Sequence, residues 1–241
     1  MTGIGKSDIG RIRAGNEDFI FVQNSEIGAL KNLYVVADGM GGHKSGEIAS
    51  SNAVKFFTEF ISENLNTDEI LDSLVEGVLY ANKKVNELSR TKFEYSNMGT
   101  TFLAASFDDE KIYVAHVGDS RLYIVRNEEI KQITTDHSYV MDMVRSGIIT
   151  KEEAKTHPDR NIITRALGID PNVSIDGIFN RIFDGDIVIM CSDGLYEMLD
   201  DDEILNIAKD NSLNLQEKTE KMVDRANELG GKDNISVILI A

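Results

Sequence analysis

The 241-residue chain has one cysteine, Cys191, and two prolines, Pro158 and Pro171. A lone thiol excludes an internal disulfide framework and fits a reducing compartment. Repeats, low-complexity tracts and Ser/Gly/Pro-rich linkers are absent, so a single domain over residues 1–241 is expected. No apolar run approaches the ~20 residues of a membrane helix, and Met1 to Gly10 lacks a signal-peptide core. A cytoplasmic, monomeric protein with no membrane partner is expected. Positive charge is also scarce: 25 Lys and Arg face 41 Asp and Glu, a net charge of −16. That balance argues against nucleic acid as a partner and leaves no basic track of the kind a nuclease needs. Surface charge is screened beyond ~8 Å, so a phosphorylated substrate stays open, because bound cations and one arginine can dominate locally.

What is present centres on Val35-Val36-Ala37-Asp38-Gly39-Met40-Gly41-Gly42-His43, an apolar strand that meets a carboxylate and then glycines. A charge at the end of a buried run must be met by a partner. Gly39 spares a Cβ there and offers its carbonyl to a cation beside Asp38. One Asp-Gly is equally an ordinary turn. A second copy gives it weight: Ile187 to Cys191 leads into Ser192-Asp193-Gly194. Asp233 precedes the apolar strand Ile235 to Ala241, and Asp18 precedes Phe19 to Val22. Four carboxylates in one pocket would repel one another and raise each other's pKa unless cations neutralised them. Two divalent ions would balance four charges. With only oxygen ligands and no Cys or His pair at zinc spacing, Mn²⁺ or Mg²⁺ is expected.

Along the chain, strands are expected at Thr2 to Asp8, Phe19 to Gln23, Leu33 to Ala37, Thr100 to Phe107, Lys111 to Val117, Arg121 to Val125, Val173 to Phe179 and Asp186 to Cys191. Helical stripes run through Ala53, Phe56, Phe57, Phe60 and Ile61, and through Ile70 to Leu88 after a cap candidate at Thr67. Later helices start at the Asp200 to Glu203 run and carry Met222, Val223, Ala226 and Leu229 on one face. His116 alternates with Ile112 and Val114 and should face inward as a hydrogen-bonded core histidine. The segment 136–168 is weakly patterned, with a capping box at Thr150 to Glu153, and reads as a flap. The fold class is α+β, an α/β/β/α sandwich of two antiparallel sheets flanked by helices.

Six blocks now stand in order: Arg13 to Asp18, Asp38 to His43, Met98 to Thr101, Ala115 to Arg121, Cys191 to Gly194, and Lys232 to Asn234. In these the chain resembles the metal-dependent serine/threonine protein phosphatases of the type 2C family, in their compact bacterial form. The resemblance implies hydrolysis of phosphoserine and phosphothreonine in proteins phosphorylated by a serine/threonine kinase, by water activated between two cations. It implies that Asp38 bridges both ions, with the Gly39 carbonyl on one and Asp193 and Asp233 on the other. Asp18 would bind or orient metal-bound water, and Arg13 would grip phosphoryl oxygens bidentately. The position of Asp119 implies a third ion shared with Asp193, although Asp in a tight Gly-Asp-Ser connection also serves as a turn residue. Animal-type members place a histidine directly after the first Asp-Gly, where this chain has Met40. His43 is the candidate general acid, or else a plain loop residue. Cys191 cannot head a cysteine-phosphatase loop, because the arginine needed six residues on is Glu197. The rival reading is a catalytically silent metal-binding scaffold of the same fold.

Overall fold

The computed structural model describes residues 1–41, 45–63 and 69–241. Among them two antiparallel sheets face each other. The first is ordered β1 (Gly3–Asp8), β11 (Ile235–Ile240), β10 (Ile187–Cys191), β7 (Arg121–Arg126), β8 (Glu129–Gln132). The second is ordered β2 (Asp18–Gln23), β3 (Leu33–Met40), β5 (Phe102–Phe107), β6 (Lys111–Val117), β9 (Asp176–Arg181), and β4 (Gly99–Thr100) pairs with the end of β3. Helices α1 (Ser45–Glu63) and α2 (Ile70–Ser89) cover the second sheet, and α6 (Asp201–Ala208) and α7 (Leu215–Glu228) cover the first.

The near-continuous apolar runs of the central strands follow from burial on both faces. Tyr34 and Val36 of β3 point between the sheets with Leu103, Val188, Met190, Ile238 and Ile240. Their neighbours Val35 and Ala37 point the other way, against Phe57 of α1 and Leu74 and Val78 of α2. Ile189 and Cys191 likewise leave the inter-sheet layer and pack with Met222, Val223 and Ala226 of α7. Burial pushes the Cys191 thiol up to about 12, consistent with inert core.

Several boundaries move. β3 does not stop at Ala37 but carries Asp38 and Gly39 inside the strand, because Gly39 and Met40 pair with Thr100 and Gly99. β8 has a half-exposed alternation of four residues, too short and polar to stand out in sequence. The strand expected from Val173 begins at Asp176, since its register is set by pairing from His116↔Asp176 to Lys111↔Arg181. Leu229 lies past the end of α7 and is 39% exposed rather than on its buried face. The caps at Asp200 and Thr150 form as expected. Thr67 lies outside the described residues. His116 is fully buried, but its ring nitrogens make no hydrogen bond of normal geometry; the ring stacks on His137 instead, with centroids 4.8 Å apart.

Leu103 is 0% exposed in the inter-sheet layer. Leu103→Ala should cost about 2–5 kcal/mol in urea denaturation. A loss below the lower bound would mean that the two sheets relax into the gap.

Candidate active site

The inter-sheet layer is apolar along most of its length and polar at one end. Strand alternation carries the face of Tyr34 and Val36 on to Asp38, and that of Ile20 and Val22 back to Asp18. The same parity takes Val188 and Met190 to Ser192, and Ile238 and Ile240 back to Ser236. Asp18 and Asp38 are register partners across β2 and β3. The Ser192 hydroxyl donates to Asp18 Oδ2 at 2.7 Å, and Ser236 N donates to Ser192 Oγ at 3.0 Å.

The backbone of Asp38 is fixed from the opposite side by the threonine pair. Asp38 N donates to Thr101 Oγ1 at 2.9 Å, and Thr101 N and Thr100 Oγ1 donate to the Asp38 carbonyl at 2.8 and 2.9 Å. Both Asp-Gly pairs owe their glycine to close packing. A Cβ on Gly39 would lie 2.1 Å from the Gly46 carbonyl at the start of α1, and one on Gly194 would lie 2.0 Å from the Asn234 carbonyl. The chain turns away two residues later, at Gly41, with φ +137°.

These residues open on a cavity of about 450 Å³ whose walls include Arg13, Glu17, Asp38, Gly39, Asp119, Asn161, Asp193 and Asp233. Asp18 sits behind them, 7% exposed. Asp193 opens the short helix α5 (Asp193–Tyr196), and Asp119 follows Gly118, whose φ of +106° makes the connection between β6 and β7. The Arg13 guanidinium donates to Asp233 Oδ2 at 2.5 Å. Every expected site residue among those described thus comes to one place. His43 lies outside the described residues. A larger groove beside α6 and α7 is also charged, but Arg225 and Lys221 there already pair with Glu203 and Asp210.

Crowding sets the electrostatics. Burial, and then the charges of Asp18 and Asp193, hold the Asp38 carboxyl well above its usual range. Asp193 is raised by burial and by Asp119 and Asp233. Asp18 is pushed up to about 6 mainly by burial, against the Ser192 hydrogen bond, and Asp119 to about 6 by burial and the nearby Asp136. Asp18 Oδ1 and Asp193 Oδ1 are buried without a hydrogen-bond partner. Orphaned oxygens and repelling carboxylates fit hard cations. No group of three or more His, Cys, Asp or Glu among the described residues is arranged to hold an ion by side chains alone.

Some contributors escaped the sequence. Glu17 lines the cavity with a buried, unpartnered Oε1, and burial raises its pKa. Its neighbour Asp18 starts the strand, so alternation gave no reason to aim both inward. Asn161 and Ile163 reach the cavity from the flap segment, where no periodicity marks them.

A family model for protein phosphatase 2C matches residues 11–239. The chain belongs to that family. It is 37% identical to the serine/threonine phosphatase stp of Listeria monocytogenes, covering 98% of this chain and 93% of that one. It is 35% identical to the protein phosphatase PhpP of Streptococcus pneumoniae, at 98% and 95% coverage. The structure of the S. agalactiae serine/threonine phosphatase superposes with a TM-score of 0.91 at 37% identity, covering 98% of this chain and 97% of that one. The catalytic domain of the phosphatase PstP, solved in complex with two manganese ions, superposes at 0.84 with 31% identity, covering 98% and 96%. The sandwich of two sheets is therefore the fold of the family.

The pKa of Asp18 is raised in the folded protein, so its stabilising contribution is complete below 3.8 and is lost as pH climbs through about 6. Asp18→Asn should raise the melting temperature of the chelator-treated protein, by a margin that grows across that window. A margin independent of pH would show that Asp18 is ionised at no cost.

Proposed function

We propose that Asp38, Asp193 and Asp233 hold the divalent cations of a serine/threonine protein phosphatase in this chain, with Asp18 as an inner support and Arg13 as the phosphate grip. The chain is a metal-dependent protein phosphatase acting on phosphoserine and phosphothreonine. The observation that carries the residue assignment is the meeting of mutually repelling carboxylates from β3, the β6–β7 connection, α5 and the turn before β11 in one cavity, with Asp18 of β2 behind them and an arginine at the rim. Divalent ions bound there supply positive charge to the phosphoryl oxygens and acidify water for in-line attack on phosphorus.

The residues divide the remaining work. Asp38 is held rigidly through its backbone by Thr100 and Thr101, which would keep its carboxylate in place as a cation ligand. Asp18 accepts the Ser192 hydroxyl through Oδ2, while Oδ1 is buried without a hydrogen-bond partner. Arg13 lies 49% exposed at the rim, paired with Asp233. Its planar fork is suited to a phosphoryl group, and cations held by Asp233 would weaken its present pairing. Asp119 would hold a third ion, more weakly than the first two because ions already bound would repel it. His43 is the candidate acid for the leaving serine or threonine oxygen. Cys191 takes no part, because it faces α7 with its thiol protonated.

Substrates are phosphorylated proteins, with the flap 136–168 contributing recognition. Supporting this, Asn161 and Ile163 border the cavity, and α3 (Tyr139–Arg145) and α4 (Lys151–Thr156) place Ile148 and Ile162 in solvent at 66% and 50% exposure. No helix among the described residues is long and apolar enough to cross a membrane.

Phosphate release from a phosphothreonine peptide should cease in EDTA, return with Mn²⁺, and fall by about a thousandfold or more in Asp38→Ala. Turnover by that variant in chelator would exclude the metal reading and leave a silent or differently acting protein. Exchanging the flap should alter the ranking of phosphopeptides more than the rate on a small aryl phosphate. Equal effects on both would count against recognition by the flap.

A further inference from the structure

The loop between β1 and β2 carries Arg13, and little of that loop is held by its own hydrogen bonds. Asp8 Oδ1 accepts from Gly10 N at 2.9 Å near its start, Gly39 N and Ser50 Oγ donate to the Glu17 carbonyl at 3.1 and 2.6 Å at its end, and the turn before β11 holds what lies between. Arg11 N donates to the Gly231 carbonyl at 2.7 Å, and Gly10, at φ +80°, lies so close to the Asp233 carbonyl that a Cβ would stand 2.2 Å from it. The side chain of Asn234 then fastens both ends of the loop. Its Nδ2 donates to the Ile9 carbonyl and the Gly15 carbonyl, each at 2.9 Å, and its Oδ1 accepts from Glu17 N at 2.8 Å. Asn234 is 4% exposed.

An amide has two donor hydrogens and one acceptor oxygen with two lone pairs, and here both donors and the oxygen are engaged with the loop backbone. Neither a carboxylate nor a hydroxyl can repeat that set. The peptide units secured, at residues 9, 15 and 17, bracket Arg13. Among the described residues the guanidinium hydrogen-bonds to Asp233 alone, so the direction of the side chain depends on where its backbone is held. We propose that Asn234 is a positioning residue for Arg13: it clamps the Ile9–Glu17 loop so that the guanidinium stands over the cavity before substrate arrives. This rests on Arg13 gripping the phosphoryl group. The contribution is pre-organisation, and it should be seen in substrate and phosphate binding rather than in the chemical step.

A double-mutant cycle separates this role from a merely structural one. Kinetics of Arg13→Ala, Asn234→Ala, Asn234→Asp and Arg13→Ala/Asn234→Ala would be measured on an aryl phosphate at saturating Mn²⁺, with inhibition by inorganic phosphate and thermal melts alongside. Asn234→Asp keeps an acceptor for Glu17 N and loses both donors, and serves if the alanine variant folds poorly. Either single Asn234 variant should raise KM and the phosphate inhibition constant about tenfold with kcat changed less than about threefold, and should add less than about twofold to KM once Arg13 is alanine. If the KM effects instead multiply, or kcat falls with KM unchanged, Asn234 does not act through Arg13 and the inference fails. If Arg13→Ala alone leaves KM and phosphate inhibition unchanged, it is the assignment of the phosphate grip that fails.

Discussion

Burying several carboxylates within reach of one another is the constraint around which the molecule is arranged. Each is drawn out of water by a strand or turn that belongs to the core, and each pushes its neighbours toward the protonated form. Without cations the site is a cost to the fold, and the orphaned oxygens of Asp18 and Asp193 mark where that cost is concentrated. The apolar remainder of the inter-sheet layer supplies the rigidity that keeps the carboxylates from spreading apart.

That rigidity is transmitted through short-range devices of different chemistry. Threonine hydroxyls hold the Asp38 backbone, a serine hydroxyl holds Asp18, and an asparagine amide holds the loop of Arg13. Glycines without a Cβ let the start of α1 press against the end of β3, and the start of α5 against Asn234. The same logic extends to Gly118, where N–H donation to His137 Nδ1 at 3.0 Å ties the Asp119 connection to the start of the flap. His137 must be neutral at that nitrogen to accept, and its burial, which lowers its pKa, favours this. His116, stacked on it, is held down to about 3 by burial and by His137, so the pair stays uncharged inside the core.

Flap and scaffold differ in kind. β6, β9 and the helices above them pack continuously, whereas residues 136–168 are tied to the sandwich at their two ends, by Arg121 to Asp136 and Gly118 to His137 at one and by Thr100↔Leu167 and the Asn86 amide on the Gly168 carbonyl at the other. Arg165 reinforces the base by pairing with Asp176 at 3.0 Å. A segment secured at its root and exposed at its tip fits the recognition role proposed for it.

The sequence by itself carried the apolar runs of the central strands, the helical stripes of α1 and α2, and the carboxylates and arginine that fold into one place, because period and residue type are local properties. It pointed to Asp38 and Asp193 through repeated Asp-Gly pairs, and to Asp18 and Asp233 through their places before strands. It did not reveal that Asp18, Asp38, Ser192 and Ser236 continue one and the same face of the inter-sheet layer. That follows from strand register and from the pairing of β2 with β3 and of β10 with β11, which are set by contacts far apart in the chain. Nor could it separate Glu17 from Asp18, or give Asn234 its three backbone partners, at residues 9, 15 and 17. An amide's hydrogen-bonding capacity is written in its residue type, but what it holds depends on which backbone groups folding brings within reach.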